Sequence, residues 1–450
     1  MPESAADAIA QAGSAVEALR NAQARPTVFP VTPEFTNWRS EQKSWRESVA
    51  LLDQSHHMTD LFISGPDALK LLSDTGVNSF ANFAVNQAKQ FVAVNHEGYL
   101  IGDAVLFYLE EESFDLVGWY MVLDWVQFIG ETGDYDVTFE RDANSLMRDG
   151  DPKLYRYEVQ GPNALALMEK VLGGPVPPTK FFGMADFEIG GTRVRSLRHG
   201  MAGQPGFELF GPWSEREVVR NAIVAHADEF GLVLAGAKAY STANLESAWV
   251  PSPTAAIFTG ERMEEYLQWL PAERAGSLAG SFTSSNIEDY YITPYDIGYG
   301  RNVAFDHEFI GREELEKHAA GRQRTKVTLV WEPEDVASAQ RSLYEDGVPA
   351  KYIEFPKARY GLYQVDEVRA NGKVVGISHD AGYITNERAF ISLASIDADH
   401  AEPGTQVTLL WGESPNSTKP AVEEHRQVEI RATVQPAPYS SFARKNYRSN

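Results

Sequence analysis

Residues 1–24 place Ala, Ile, Val and Leu at helical spacing and predict one amphipathic helix, after which Pro26, Pro30 and Pro33 force an extended linker. A second helix is predicted over about Trp38 to Ser48, leading into an apolar run and the segment Asp53-Gln54-Ser55-His56-His57-Met58-Thr59-Asp60. Leu61-Phe62-Ile63 then reads as a strand, Ser64-Gly65-Pro66 as a turn and Asp67 to Ser73 as a helix. The same order recurs in Tyr157-Glu158-Val159-Gln160, Gly161-Pro162 and Asn163 to Val171. Two copies of one unit, roughly a hundred residues apart, predict an internal duplication and pseudo-symmetric halves.

Between the copies, Gly98 to Tyr108 is strand-like and Glu110-Glu111-Glu112 marks a solvated turn. A strand pair over Arg193 to Phe210 brackets a glycine-rich loop, residues 214–230 read as a charged helix, and Gly236 to Ala248 reads as a helix ending at Pro251-Ser252-Pro253. Phe309 to Leu315 is predicted as a short strand turning into a last helix. After about Arg322 short apolar strands such as Lys326 to Trp331 and Thr405 to Trp411 alternate with Gly, Asp and Pro turns, the pattern of a small all-β barrel. The expected fold class is thus α+β. Residues 1–321 form the mixed region, as two intertwined subdomains, and 322–450 a C-terminal β-barrel domain.

Composition removes several classes of function. Forty Lys plus Arg against 63 Asp plus Glu leave a net charge of -23, which disfavours nucleic acid and anionic membrane surfaces as partners. No apolar run approaches the roughly 18 residues of a spanning helix, and the first twenty or so residues lack the basic start and apolar core of a signal peptide. Cytoplasmic residence is the expectation. With no cysteine there can be no disulfide, thiolate zinc site or cysteine nucleophile, and no metal site is expected. Walker, Gly-x-Gly-x-x-Gly, Gly-x-Ser-x-Gly and His-Glu-x-x-His motifs are missing too. Nothing in the sequence sets the oligomeric state.

The most informative segment is Arg198-His199-Gly200-Met201-Ala202-Gly203-Gln204-Pro205-Gly206-Phe207-Glu208-Leu209. Its three glycines permit a tight loop around a flat ligand, and Glu208 is a lone acid in an apolar run that calls for a polar partner.

With His57-Met58, Ser64 to Leu69, Gly102-Asp103, Gln160-Gly161-Pro162, Leu245-Glu246 and Phe309 to Arg312, this segment resembles the folate-binding aminomethyltransferase family typified by the T-protein of the glycine cleavage system. The doubled His56-His57, Lys70 to Thr75, Leu245 to Trp249, Ser284 to Tyr291 and Pro294 to Gly300 are most similar to the tetrahydrofolate-dependent O-demethylases of vanillate, syringate and 3-O-methylgallate within it. The resemblance implies an aminomethyltransferase-like folate-binding fold, tetrahydrofolate as cofactor, and transfer of an aryl methyl-ether carbon to it from a small methoxyaromatic substrate. An aminomethyltransferase, a sulfonium demethylase and a non-catalytic folate-binding protein are the alternatives.

An aryl methyl ether leaves as a phenolate, whose conjugate acid has a pKa near ~10, so a donor is needed at that oxygen. His57 and Tyr240 are the catalytic candidates, and both would also touch substrate. On the folate side, Glu208 suits the pterin amino group and ring N–H, while Glu158 and Gln160, two apart on a strand, face the same way. The demethylases tend to carry glutamine where this chain has Glu158. Trp249 is expected to stack on or hydrogen-bond to the cofactor. Asp103 matches an aspartate used near the transferred carbon; an ether offers it no ammonium, which leaves backbone groups as its other partners. Two departures bear on substrate binding: Trp119 stands where a carboxylate-pairing arginine is expected, and Phe29 where a tyrosine is. Syringate-like acids and methoxychlorobenzoates such as a dicamba-like compound both remain open.

Overall fold

The computed structural model describes residues 2–24, 29–321, 324–445 and 447, so Met1, Pro26 and Arg322 lie outside the described residues. The predicted N-terminal helix is two helices, α1 (Ala5–Ala12) and α2 (Ala15–Asn21). Gly13 ends the first in a left-handed conformation, and the Ser14 hydroxyl caps the second by accepting from the Glu17 amide. Local capping chemistry here overrides a continuous apolar stripe.

The chain continues through α3 (Trp38–Glu47), β1 (Val49–Asp53), β2 (Thr59–Ser64), α4 (Ala68–Thr75), β3 (Gln87–Val94), β4 (Leu100–Glu110), β5 (Ser113–Gly118), α5 (Tyr120–Thr132) and β6 (Thr138–Asp142). There follow β7 (Leu154–Gln160), α6 (Ala164–Leu172), β8 (Met184–Ile189), β9 (Thr192–Arg198) and β10 (Gly206–Pro212). One sheet runs β6-β2-β5-β4-β3 and the other β1-β7-β10-β9-β8, with β11 (Leu232–Ala235) added parallel to β1. Strand for strand the two orders correspond, and all the shared neighbours are antiparallel. The first strand of each repeat sits in the other repeat's sheet: β1 flanks β7, and β6 flanks β2. The halves are therefore pseudo-symmetric and intertwined.

Gly65 and Gly161 mark the duplication at atomic level. Both adopt an unusual positive φ, +135° and +134°, at the turn from β2 into α4 and from β7 into α6. A Cβ would come within 2.3 Å of the Asp136 carbonyl at the first and 2.6 Å of the Ser48 carbonyl at the second. In each case the obstructing backbone leads into the exchanged strand.

Residues 214–230 form two helices rather than one, α7 (Arg216–Val224) and α8 (Ala227–Phe230). The predicted helix from Gly236 to Ala248 is likewise split into α9 (Ala237–Tyr240) and α10 (Ala243–Ser247), with Ala248 in a left-handed conformation. Trp249 thus lies just beyond α10. Further on come α11 (Glu264–Trp269), β12 (Leu278–Ala279) and α12 (Arg312–Ala320). Phe309 to Gly311 is a turn, not the strand expected, because Gly311 at φ +84° turns the chain straight into α12.

The closing β region contains β13 (Arg324–Trp331), α13 (Pro333–Arg341), β14 (Lys357–Ala358), β15 (Tyr363–Gln364), β16 (Asp366–Ala370), β17 (Lys373–Ile384), β18 (Ala389–Asp397), β19 (Gln406–Trp411) and β20 (Val428–Pro436). The order β17-β16-β19-β20-β13-β18 closes through β17–β18 into a six-stranded barrel, with β14 on the edge of β17. Its interior holds Trp331, Trp411 and Leu409. It is not purely β: α13 starts on Pro333, a residue suited to the first helical position, and packs on β20. The barrel is tied to the rest by the β12–β15 pairing and by Gln42, whose amide donates to Thr242 and to the Tyr383 carbonyl.

Gly161→Ala combines a forbidden φ with a backbone collision and is expected to lower stability by roughly 2–4 kcal/mol, measured as a shift of the urea midpoint, whereas Gly174→Ala, which has open space around it, is expected to have little effect.

Candidate active site

The two sheets meet on a buried guanidinium. Arg156 of β7 is 2% exposed and donates to Glu208 at 3.2 Å, to Asp115 at 2.7 Å and to Asp60. Its faces lie over Phe107 and Phe210, 5.1 and 4.9 Å from the ring centroids. Register makes the arrangement a product of the duplication. Asp60 and Arg156 occupy the position five before Gly65 and Gly161, and Asp115 opposite Phe62 corresponds to Glu208 opposite Glu158. Burial opposes the charge on Arg156, but Asp60, Asp115 and Glu208 outweigh it and raise the pKa. Burial pushes Asp115 well up, aided by Asp60, and raises Glu208 despite Arg156. Glu208 thus has a protein partner in Arg156, with His199 Nδ1 at 3.8 Å from its other oxygen. Sequence reading passed over Arg156, Asp60 and Asp115; the available signal was a charged residue inside each of three strands that otherwise bury apolar side chains, with Glu158 and Gln160 following in β7.

The glycine loop between β9 and β10 folds back onto β7. Glu158 Oε1 accepts from the Met201 amide at 2.5 Å, and Gln160 Oε1 from the Ala202 amide at 2.9 Å. Gly200 permits the approach, since a Cβ there would lie 1.9 Å from the Gln204 carbonyl. The expectation that Glu158 and Gln160 share a face holds, and what both meet first is this loop. Gln160 Nε2 and Gln54 Oε1 are buried and have no partner among the described residues. The Gln54 amide donates to the other oxygen of Glu158. Burial, with Glu208 directly across the strand pair, drives Glu158 up to about 8, against the pull of the Met201 and Gln54 donors.

His57 sits on the turn between β1 and β2, half-buried, with Nε2 2.9 Å from the Tyr240 hydroxyl. Phe29 packs edge-on against it at 5.9 Å, so three residues expected at the substrate do meet. Burial, with His56 and Arg156 nearby, lowers His57 to about 4, and the Gln54 carbonyl pulls the other way. The imidazole is neutral at neutral pH. With one ring nitrogen turned to that carbonyl, Nε2 accepts and Tyr240 donates. Burial, Glu158 and Glu208 keep the Tyr240 phenol protonated, and Gln54 stands against its oxygen. His56 points elsewhere, to Ser145 at 2.8 Å. Gln54 is a central residue that sequence reading did not single out; its place in the Asp53 to Asp60 segment was the only clue.

Asp103 and Trp249 form a second group. The Trp249 indole N–H and the Tyr299 hydroxyl donate to Asp103 Oδ2 at 2.8 and 2.9 Å, and Gln90 donates to the same oxygen. Its partners are therefore side chains and not the backbone groups offered as an alternative. Burial raises Asp103 to about 6 against these three donors. Trp119 sits at the N-cap of α5 and its ring lies tilted against Tyr120, with centroids 4.9 Å apart. The preceding Gly118 pairs with Ala104 on one side and Thr59 on the other, which puts Asp103, Trp119 and the His57 turn at one end of the five-stranded sheet. Recesses of about 360 Å³ beside Tyr99, Tyr291 and Arg324 and about 950 Å³ beside His96, Tyr135 and Arg262 lie away from these groups. The chemistry of the side chains, not the size of a recess, locates the site. Among the described residues no cluster of His, Asp and Glu could hold a metal ion, and no helix is long and apolar enough to cross a membrane.

Folded Glu158 keeps a proton up to about pH 8 that the unfolded chain releases near 4.5. Wild-type stability is therefore reduced as pH rises through that window. Glu158→Gln removes the effect, so the variant is expected to gain on wild type between about pH 5 and pH 8.5 by on the order of 3 kcal/mol, read from urea midpoints at the two ends.

The family model described as the GCVT N-terminal domain matches residues 6–253. Syringate O-demethylase of Sphingobium sp. (strain NBRC 103272 / SYK-6) is 47% identical over 453 aligned residues, covering 99% of this chain and 98% of that one. Sesamin methylene transferase of Sinomonas sp. (strain No.22) is 28% identical over 85% of this chain and 84% of its own. In fold, the chain is similar to glycine cleavage system aminomethyltransferase T from Bartonella henselae, with a TM-score of 0.63 at 16% identity over 94% of this chain and 95% of that one. With more than half its length matched by the domain model and nearly all of it aligned to such a relative, the chain belongs to the GCVT family.

Proposed function

We propose that this protein is an O-demethylase that transfers the methyl group of a methoxylated aromatic acid to tetrahydrofolate, releasing the phenol. The observation that carries the reading is the 47% identity, end to end, with a syringate O-demethylase, in a chain whose His57, Tyr240 and Phe29 converge. The aminomethyltransferase alternative is less supported, because the likeness at that level is to a demethylase.

The residues fit a pterin. That ring presents an amide-like edge with donors and acceptors side by side, and the site offers Glu208, the unpartnered Gln160 Nε2 and Gln54 Oε1, and the face of Trp249, whose N–H is spent on Asp103. Asp103 directs its three donors to one oxygen, which leaves Oδ1 for a ligand. When bound, tetrahydrofolate supplies the nitrogen that accepts the methyl carbon. Glu158 and Gln160 hold the loop that walls the ring. Tyr240 has a single hydroxyl proton; turned from His57 Nε2 to the ether oxygen when substrate is bound, it donates there as negative charge develops, worth typically 10²–10³ in rate for one such donor. Neutral His57 orients that hydroxyl and takes no part as an imidazolium. Phe29 and Trp119 bound the aromatic slot. We assign residues 1–321 to the ligand-binding region and 322–450 to the barrel domain, and place the reaction in the cytoplasm, where reduced folate is available.

Purified protein given tetrahydrofolate and syringate, without oxygen or nicotinamide, is expected to yield 5-methyltetrahydrofolate and demethylated phenol in equal amounts; formaldehyde release or an oxygen requirement would overturn the reading. Tyr240→Phe and His57→Ala are expected to lower kcat about 10²–10³-fold with folate affinity changed less, and Glu208→Ala to weaken folate binding more than kcat. The His57 imidazole is expected to stay neutral in NMR titration until the pH approaches about 4.

A further inference from the structure

Trp119 leaves the expected carboxylate-pairing arginine without a counterpart in its own segment. The barrel supplies a cation instead. Around β14 the chain is extended, and Ala358 and Tyr360 point into the barrel core. The alternate residues Lys357 and Arg359 therefore face the other way. Phe355 packs in one cluster with Tyr240 and Met201. Lys357 Nζ reaches Asn244 at 2.8 Å, and the Asn244 amide donates to the Trp249 carbonyl at 2.9 Å. Arg359 lies within electrostatic reach of Tyr120, the ring against which Trp119 lies. The segment 355–359 thus runs from the Tyr240 side towards the Trp119 side.

The charges along it do not balance. Lys357 forms an ion pair with Asp380, and Arg359 is close to the same carboxylate without pairing to it. Among the described residues Arg359 makes hydrogen bonds only to the Gly361 and Leu362 carbonyls, through Nε and one terminal nitrogen. Its second terminal nitrogen has no partner among the described residues. In a chain with 63 acids against 40 bases, a half-buried guanidinium without a paired carboxylate among the described residues keeps a donor for an anionic ligand.

We infer that Arg359 binds the carboxylate of the aromatic substrate, at the place where Trp119 provides no charge. The inference rests on the methyl-transfer reading for the identity of the ligand. A carboxylate could also come from the glutamate tail of the folate; the electrostatic influence of Arg359 on Tyr120, at the Trp119 side, favours the substrate.

Arg359→Gln and Arg359→Lys are tested with syringate, with its methyl ester and with syringol, the same ring without the carboxylate. The Gln variant is expected to raise KM for syringate about 10–100-fold, with kcat and the KM for tetrahydrofolate within about twofold of wild type and the two neutral compounds unaffected. The Lys variant should fall between, since it keeps the charge and loses the fork. Calorimetric titration of syringate into folate-free protein should show the same loss, and wild type should bind syringate at least about tenfold tighter than the ester. Equal effects on acid and neutral compounds, an effect on folate KM alone, or no preference of wild type for acid over ester would each overturn the assignment. The last comparison needs no variant to fold. If wild type transfers methyl from none of the three compounds, the methyl-transfer reading fails, while the acid-versus-ester titration still judges Arg359.

Discussion

The N-terminal two-thirds of the molecule is organised around one guanidinium taken out of water. Arg156 reaches from one sheet to Asp60 and Asp115 of the other while holding Glu208 of its own. Breaking such a buried pair by deleting one partner typically costs about 3–5 kcal/mol, because the remaining charge is stranded. Three carboxylates on one arginine carry more negative charge than it can neutralise. The upward shifts of Asp115 and Glu208 are the response, since a buried acid without a full counter-charge holds its proton. The joint between the sheets and the electrostatics of the site are thus the same set of atoms.

That joint reaches the chemistry through Glu158, which lies across from Glu208 and two positions from Arg156. One of its oxygens fastens the glycine loop at Met201 and the other accepts from Gln54, the residue whose carbonyl and amide face His57 and Tyr240. The glycine loop and the Tyr240 hydroxyl are linked by two hydrogen-bonded side chains. Burial keeps His57 neutral and Tyr240 protonated, so the pair is suited to donate a hydrogen bond and not to deliver a full proton. The barrel completes the enclosure, since Phe355 and Tyr383 share a cluster with Tyr240 and Met201.

Much of the fold was legible because local rules and repeated patterns recorded it. The strand, Gly-Pro turn and helix unit appeared twice, and the structure gives Gly65 and Gly161 nearly the same φ. Failures came where a cap outweighed periodicity, as at Gly13-Ser14 and Gly311, or where short helices with little amphipathic pattern were fused into one, as at α9 and α10. The exchange of β1 and β6 between sheets had no local trace, because both strands look alike to a pairing rule that knows only alternation.

By itself the sequence determined the family, the duplication, the glycine loop and the residue types capable of folate and ether chemistry, since these rest on order and spacing along the chain. Only the tertiary structure decided which of them meet. It paired His57 with Tyr240, gave Glu208 to Arg156, and gathered Trp249 and Tyr299 on Asp103. Contacts between residues some fifty or more positions apart depend on how sheets are stacked and strands exchanged, and the protonation states follow from burial that exists only once those layers have closed.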